Sequence, residues 1–281
     1  MSRAARGVLW AGLGLGIVVL ALFVFPIFFV LPGLALAGSA LAALYTAIVL
    51  WLLHLTRPAW PGGRAWVVAA LLWGSGTSFG VVSAAGLGWF DIIDHWRWDP
   101  LIASFGGAYP EEPAKALGVF LLLLSFRELR RPWHGFLAGA VVGLGFETTE
   151  NLLYSFMGAL MDPVSDWDGF WAMWGLRVVA GPCLHVVFTA IAGWGVGWAL
   201  YAAEWSRLRR VGVAAGFLAF AFAGHFLWNI TLDTDAWWVY APMVCSALLT
   251  YPTVFLLVHR ARRLAAVDPG YVAVKELRTR V

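Results

Sequence analysis

Eight long apolar runs dominate the chain, at residues 8–31, 34–54, 66–88, 101–126, 134–157, 170–201, 211–231 and 237–259. The hydrocarbon core of a bilayer is about 30 Å thick, and about 20 apolar residues in a helix cross it. Each run meets that length. In lipid every backbone N–H and C=O must find its partner inside the protein, which makes helices the solution for runs of this kind. The expected fold is all-α, a polytopic transmembrane helical bundle of eight spans. Composition agrees, since 61% of the 281 residues are hydrophobic and only 12% are charged, half the charge of an ordinary soluble domain. That excludes a cytosolic globular enzyme, a disordered chain and a nucleic-acid-binding domain. The first run follows Arg3 and Arg6 and leads to Ala35-Leu36-Ala37, an arrangement a signal peptide also shows. It is much longer than the roughly 7–15 residues of a signal h-region, so it reads as a retained helix.

Charge placement gives the orientation. Of 19 Lys and Arg, 16 fall at the termini and in even-numbered connections, including Arg57, Arg64, Arg127, Arg131, Arg207 and Arg210. The odd-numbered connections hold Arg97 among Asp91, Asp94, Asp99, Asp162, Asp166, Asp168, Asp233 and Asp235. Connections rich in Lys and Arg lie on the cytoplasmic side, so both termini are expected there. An odd number of spans would scramble this alternation. Tryptophans such as Trp89, Trp133, Trp167 and Trp205 sit near span ends, where amphipathic rings settle. The organisation expected is a single transmembrane domain over 1–259 and a short basic cytoplasmic tail over 260–281. Compact, arginine-rich loops point to a bacterial plasma membrane. Cys183 and Cys245 lie in apolar runs, so no disulfide framework is implied. Gly139 and Gly143, like Gly193 and Gly197, form small-xxx-small pairs that signal close helix packing.

Inside the spans stand Glu111, Glu112, Lys115, Glu147, Glu150, Arg177, His185 and His225. A charge near the bilayer centre costs about 2.5–3.5 kcal/mol on insertion scales, so such groups face a bundle interior and pair there. At about 1.5 Å per residue, spans four to seven each deliver an ionisable group to one overlapping layer in the outer half of the membrane. Glu111 and Glu112 reach Lys115 at i+4 and i+3, while Glu147–Asn151 and His225–Asn229 are i,i+4 pairs on single helix faces. Arg177 either balances Glu147 or reaches outward to solvent. Pro110 and Pro113, following Gly106-Gly107, predict a break or kink in span four. His54, His95, His134 and His259 fall at span ends or in a loop and read as interfacial; Cys183 reads as an inert thiol.

The ordered motifs carry a resemblance. Glu111-Glu112-Pro113-Ala114-Lys115 reads E-E-x-x-K, and Phe146 to Asn151 reads F-x-x-x-E-N. His185 follows in span six, and His225 to Asn229 reads H-x-x-x-N in span seven. This set, over residues 101–231, resembles the PrsW family of intramembrane proteases, itself similar to the CAAX-prenyl-protease and bacteriocin-immunity group. Pro113 and Glu147 depart from the family pattern, and no role for Glu147 is carried over. The resemblance implies an intramembrane endopeptidase acting on a membrane-spanning polypeptide, for example a single-pass anti-sigma-type regulator. Glu111 and Glu112, with His185 and His225, are the catalytic candidates, and one of the two glutamates is the general base. Lys115, Glu150, Asn151 and Asn229 support them. Glu150, His185 and His225 are ligand types that zinc favours; the alternative is metal-free catalysis, with histidines stabilising the oxyanion. A proton- or cation-coupled transporter would use buried Glu and His in a comparable way. Transporters commonly repeat their broken helices in two halves, and here a single break, near Pro110, is evident.

Overall fold

The structure, a computed structural model, describes residues 3–56, 59–268 and 270–273. Arg57 and the distal tail, with Lys275, Arg278 and Arg280, lie outside the described residues. All regular structure among the described residues is helical. In chain order the helices are α1 (Arg3–Val24), α2 (Ile27–Val30), α3 (Pro32–His54), α4 (Ala65–Leu72) and α5 (Phe79–Trp96). Then come α6 (Tyr109–Ser125), α7 (Pro132–Met161), α8 (Asp166–Ala180), α9 (Leu184–Tyr201), α10 (Arg207–Trp228) and α11 (Ala241–Val267). A π-helical turn, Trp73–Ser78, joins α4 to α5, and another, Ser104–Ala108, runs into α6.

Six stretches among the described residues are long and apolar enough to cross a membrane: Arg3–Val30, Pro32–His54, Ala65–Trp96, Asp166–Tyr201, Arg207–Trp228 and Trp237–Val267. They make this a multi-pass membrane protein. The runs expected at 101–126 and 134–157 form α6 and α7, which fall outside that set. The reason lies in their residues. α6 has 17 residues and carries Glu111, Glu112 and Lys115, and α7 carries Glu147 and Glu150 amid many small side chains. The run at 170–201 is not one helix either: it breaks at Gly181-Pro182-Cys183, between α8 and α9. α11 continues past the expected span end at residue 259 to Val267, and Val272 then accepts a hydrogen bond from the Ala203 N–H at 3.2 Å.

Polarity is arranged inside out. Leu15, Phe29, Leu36, Leu248 and Phe255 are exposed, whereas Glu111, Glu112, Lys115, Glu147 and both site histidines are buried. A bilayer covers the first group, and the bundle shields the second. α7 lies at the centre, packed on α3, α4, α6, α8 and most extensively on α9. Glycine makes that last contact possible. A Cβ on Gly135, Gly139 or Gly143 would strike α9 backbone at Gly193, Thr189 and His185 respectively, so the small-residue pairs do bring these two helices backbone to backbone.

Candidate functional site

The site is assembled from five helices. On α6 the sequence creates a conflict, because the Pro110 ring is set against the carbonyl four residues back, that of Gly106. The widened turn Ser104–Ala108 occupies that position, which satisfies the expectation of a distortion there. α6 then turns Glu111, Glu112 and Lys115 into the bundle at 3%, 0% and 0% exposure. Lys115 Nζ donates to Glu112 Oε1 at 2.7 Å and to Glu111 Oε2 at 3.1 Å. One ammonium therefore serves both carboxylates, and Phe146 lies 4.5 Å from it, face on.

Histidines complete the cluster. Lys115 Nζ lies 3.2 Å from His185 Nδ1, and His185 Nε2 lies 2.6 Å from Glu150 Oε2. An ammonium only donates, so Nδ1 accepts and the Nε2–H points at Glu150. His225 Nδ1 donates to Glu112 Oε1 at 2.9 Å, and its ring stacks on Phe188 with centroids 5.0 Å apart. The two imidazoles are themselves 5.0 Å apart. Glu111, Glu112, His185 and His225 thus offer four ligand atoms within 4.8 Å of one another, all from buried residues.

The remaining candidates surround this core. Glu150 is outside the four-group set: it pairs with the Arg177 guanidinium as well as with His185. Arg177 Nε donates to Asn151 Oδ1 at 2.9 Å. Arg177 therefore balances Glu150 rather than Glu147, and Asn151 turns to Arg177 rather than to Glu147. Asn229 Nδ2 donates to the Ala103 carbonyl at 3.2 Å, and Ser104 Oγ donates to the Phe226 carbonyl at 2.8 Å. Asn229 consequently anchors the π-helical turn to α10 instead of pairing with His225. Glu147 accepts from the Tyr45 hydroxyl and from the backbone N–H groups of His185 and Val186. Tyr45, on α3, escapes sequence reasoning because an uncharged residue in an apolar run gives no signal.

Two cavities flank the cluster. One of about 370 Å³ is lined by Glu111, Glu150, Arg177, His185, His225 and Asn229, with apolar walls from α5 and α7. A second of about 510 Å³ lies on the α11 side and shares Arg177, Leu184, His185 and Trp228 with the first. Glu111 faces the first cavity, whereas Glu112 lines neither. Each is large enough to admit water and part of an extended peptide.

The donor set suits a metal ion. Two carboxylates and two imidazoles are ligand types of a hydrolytic zinc centre, and Glu112 Oε2 is a buried oxygen with no hydrogen-bond partner.

Residues 62–258 match the family described as PrsW family intramembrane metalloprotease. The matched segment covers well over half of the chain and contains every residue of the cluster. No curated protein and no solved structure matches the chain.

Proposed function

The chain belongs to the PrsW family of intramembrane metalloproteases, a hydrolase acting on peptide bonds, and from that premise we propose that it cleaves a membrane-anchored polypeptide in the cavity between α5, α6 and α7. The observation that carries this reading is the convergence of two acids and two imidazoles within 4.8 Å inside a membrane bundle. Glu111 is the general base, because it is the member of its pair that faces the cavity. It takes a proton from water as the water oxygen bonds to the scissile carbonyl carbon. Glu111 then returns that proton to the departing amine as the C–N bond breaks, leaving a carboxylic acid and an amine. Asn229 keeps one amide hydrogen after its bond to Ala103, and with the Arg177 guanidinium it supplies donors for the developing oxyanion. Glu112, His185 and His225 are the residues that would hold a divalent ion, zinc by the chemistry of the set; when bound it polarises the carbonyl and acidifies water. Glu150 orients His185 through its Nε2–H, and Lys115 Nζ holds Nδ1, the nitrogen that an ion would take in its place.

Placement in the membrane belongs to the same proposal. Eight crossings, with the 17-residue α6 and the 30-residue α7 as polar spans, and both termini in the cytoplasm of a bacterial cell would put the cluster under the outer leaflet. The segregation of 16 of 19 basic residues supports this. A single-pass regulator of the anti-sigma type, cut near its extracytoplasmic end, is a substrate that could present a bond at that depth. Family membership favours hydrolysis over the transporter reading of these buried acids. The test is reconstitution in liposomes with a reporter transmembrane peptide and a proton-flux dye. The parent should cleave, and Glu111→Gln should lose about 10²–10⁴-fold in rate, the span of general acid–base catalysis. Proton flux in the parent without cleavage would overturn the proposal in favour of transport.

A further inference from the structure

Glu147 is buried to 2% exposure beside the site, yet the chemistry above gives it no step. Its surroundings do. The stretch Asp166–Tyr201 is apolar enough to span a membrane, but it breaks at Gly181-Pro182-Cys183, where Cys183 takes a left-handed φ of 58°. α9 therefore begins inside the bundle. The first four N–H groups of a helix lack helical partners, and unpaired donors at such depth cost several kcal/mol each. Leu184 N–H donates to the Gly181 carbonyl at 3.3 Å, and Val187 N–H makes the first helical bond, to the Cys183 carbonyl at 2.9 Å. The two between them, on His185 and Val186, donate to Glu147 Oε2 at 2.9 Å and 3.4 Å. The other carboxylate oxygen is held by the Tyr45 hydroxyl.

The same face of α7 holds the other end of that peptide. Gly143, one turn before Glu147, lies so near the His185 carbonyl that a Cβ there would strike it. His185 is thus gripped by its N–H and its C=O, and its ring is delivered between Lys115 and Glu150. We propose that Glu147 is a positioning residue for His185: its carboxylate caps the broken start of α9 and fixes where the imidazole stands. This rests on the reading of His185 as part of a hydrolytic site, and the capping itself can be measured apart from it.

The two kinds of substitution separate geometry from charge. Glutamine at 147 can still accept both N–H groups with its amide oxygen and donate its NH2 to the Tyr45 phenol oxygen; alanine can do neither. In the full chain in lipid nanodiscs, Glu147→Gln should cleave the reporter peptide within about 5-fold of the parent. Glu147→Ala should lose about 100-fold in kcat, the scale of a 1 Å misplacement, with KM nearly unchanged. Amide exchange supplies the readout that does not depend on turnover. Peptides covering 184–187 should exchange at least about 10-fold faster in Glu147→Ala than in the parent, the signature of local opening, with α6 and α10 unaffected and Glu147→Gln protected. A Glu147→Gln variant as inactive as Glu147→Ala, yet fully protected, would overturn positioning in favour of a required charge. Unchanged exchange in Glu147→Ala, or exchange raised across the whole bundle, would overturn the cap. A parent that cleaves no peptide would defeat the protease reading alone, while the exchange comparison would still decide whether Glu147 caps α9.

Discussion

The contact between α7 and α9 offers a graded test of how tightly catalysis depends on backbone register. A methyl group at Gly143 would lie 2.7 Å from the His185 carbonyl carbon and 2.9 Å from Val186 Cα. Carbon atoms reach their optimum at about 3.5–4.0 Å, so α9 must retreat by close to ~1 Å at His185. Overpacking of this kind costs about 1–3 kcal/mol, and a catalytic group moved by 1 Å loses about 10²-fold in rate. Two controls lie on the same helix face. At Gly139 a methyl would lie 2.9 Å from the Thr189 carbonyl carbon, and at Gly135 it would lie 2.8 Å from Gly197 Cα. The steric insult is similar at all three positions, but the distance from His185 grows by about one helical turn each time. Thermal unfolding in detergent should therefore fall comparably for Gly143→Ala, Gly139→Ala and Gly135→Ala. Single-turnover cleavage in liposomes should fall most for Gly143→Ala and least for Gly135→Ala. Parental turnover in Gly143→Ala, or equal losses in all three, would refute the claim that the glycine contact sets the position of the imidazole.

Lys115→Met should destabilise the fold by about 3–5 kcal/mol, because it strands two buried carboxylates; chemical denaturation in detergent should show most of this recovered in the double variant with Glu112→Gln. Elemental analysis of purified protein should find a divalent metal that is depleted in His225→Ala. Glu150→Gln, which weakens the partner of His185 Nε2, should lower metal affinity by about 10–100-fold, the usual effect of such outer partners. Outside the membrane, hydrogen bonds from Arg131 hold the Asp268 carboxyl below the usual aspartate range. Its stabilising contribution is thus complete above the unfolded value and disappears as pH falls through the lower folded value. Both side chains are partly solvated, so Asp268→Asn should change stability at neutral pH by no more than about 1 kcal/mol, the range of surface ion pairs, with the difference from the parent vanishing in acid.

The helical bundle and the membership of its polar cluster are legible in the chain, but the pairing inside the cluster is not, and the reason is physical. Insertion cost marks each buried charge individually, so Glu111, Glu112, Lys115, Glu150, His185 and His225 can be picked out one by one. The i+3 and i+4 contacts of Lys115 also follow from helix geometry. Partners on other helices depend on crossing geometry that no local pattern encodes. Glu147 and Asn151 share a helix face, yet each finds a better partner across an interface: the N-terminus of α9 for the acid, Arg177 for the amide. The break in α9 is half visible, since Pro182 marks it, but the left-handed Cys183 that redirects the chain has no signature in an apolar run. A hydropathy window reads 170–201 as one span for the same reason that the break can exist there. Three of the donors it frees are satisfied internally, two of them by Glu147, 38 residues before His185 in sequence, so the surrounding residues can remain as apolar as those of an unbroken helix. The acid that looks superfluous along α7 is thus what permits an imidazole to sit at the beginning of a helix deep inside the bundle.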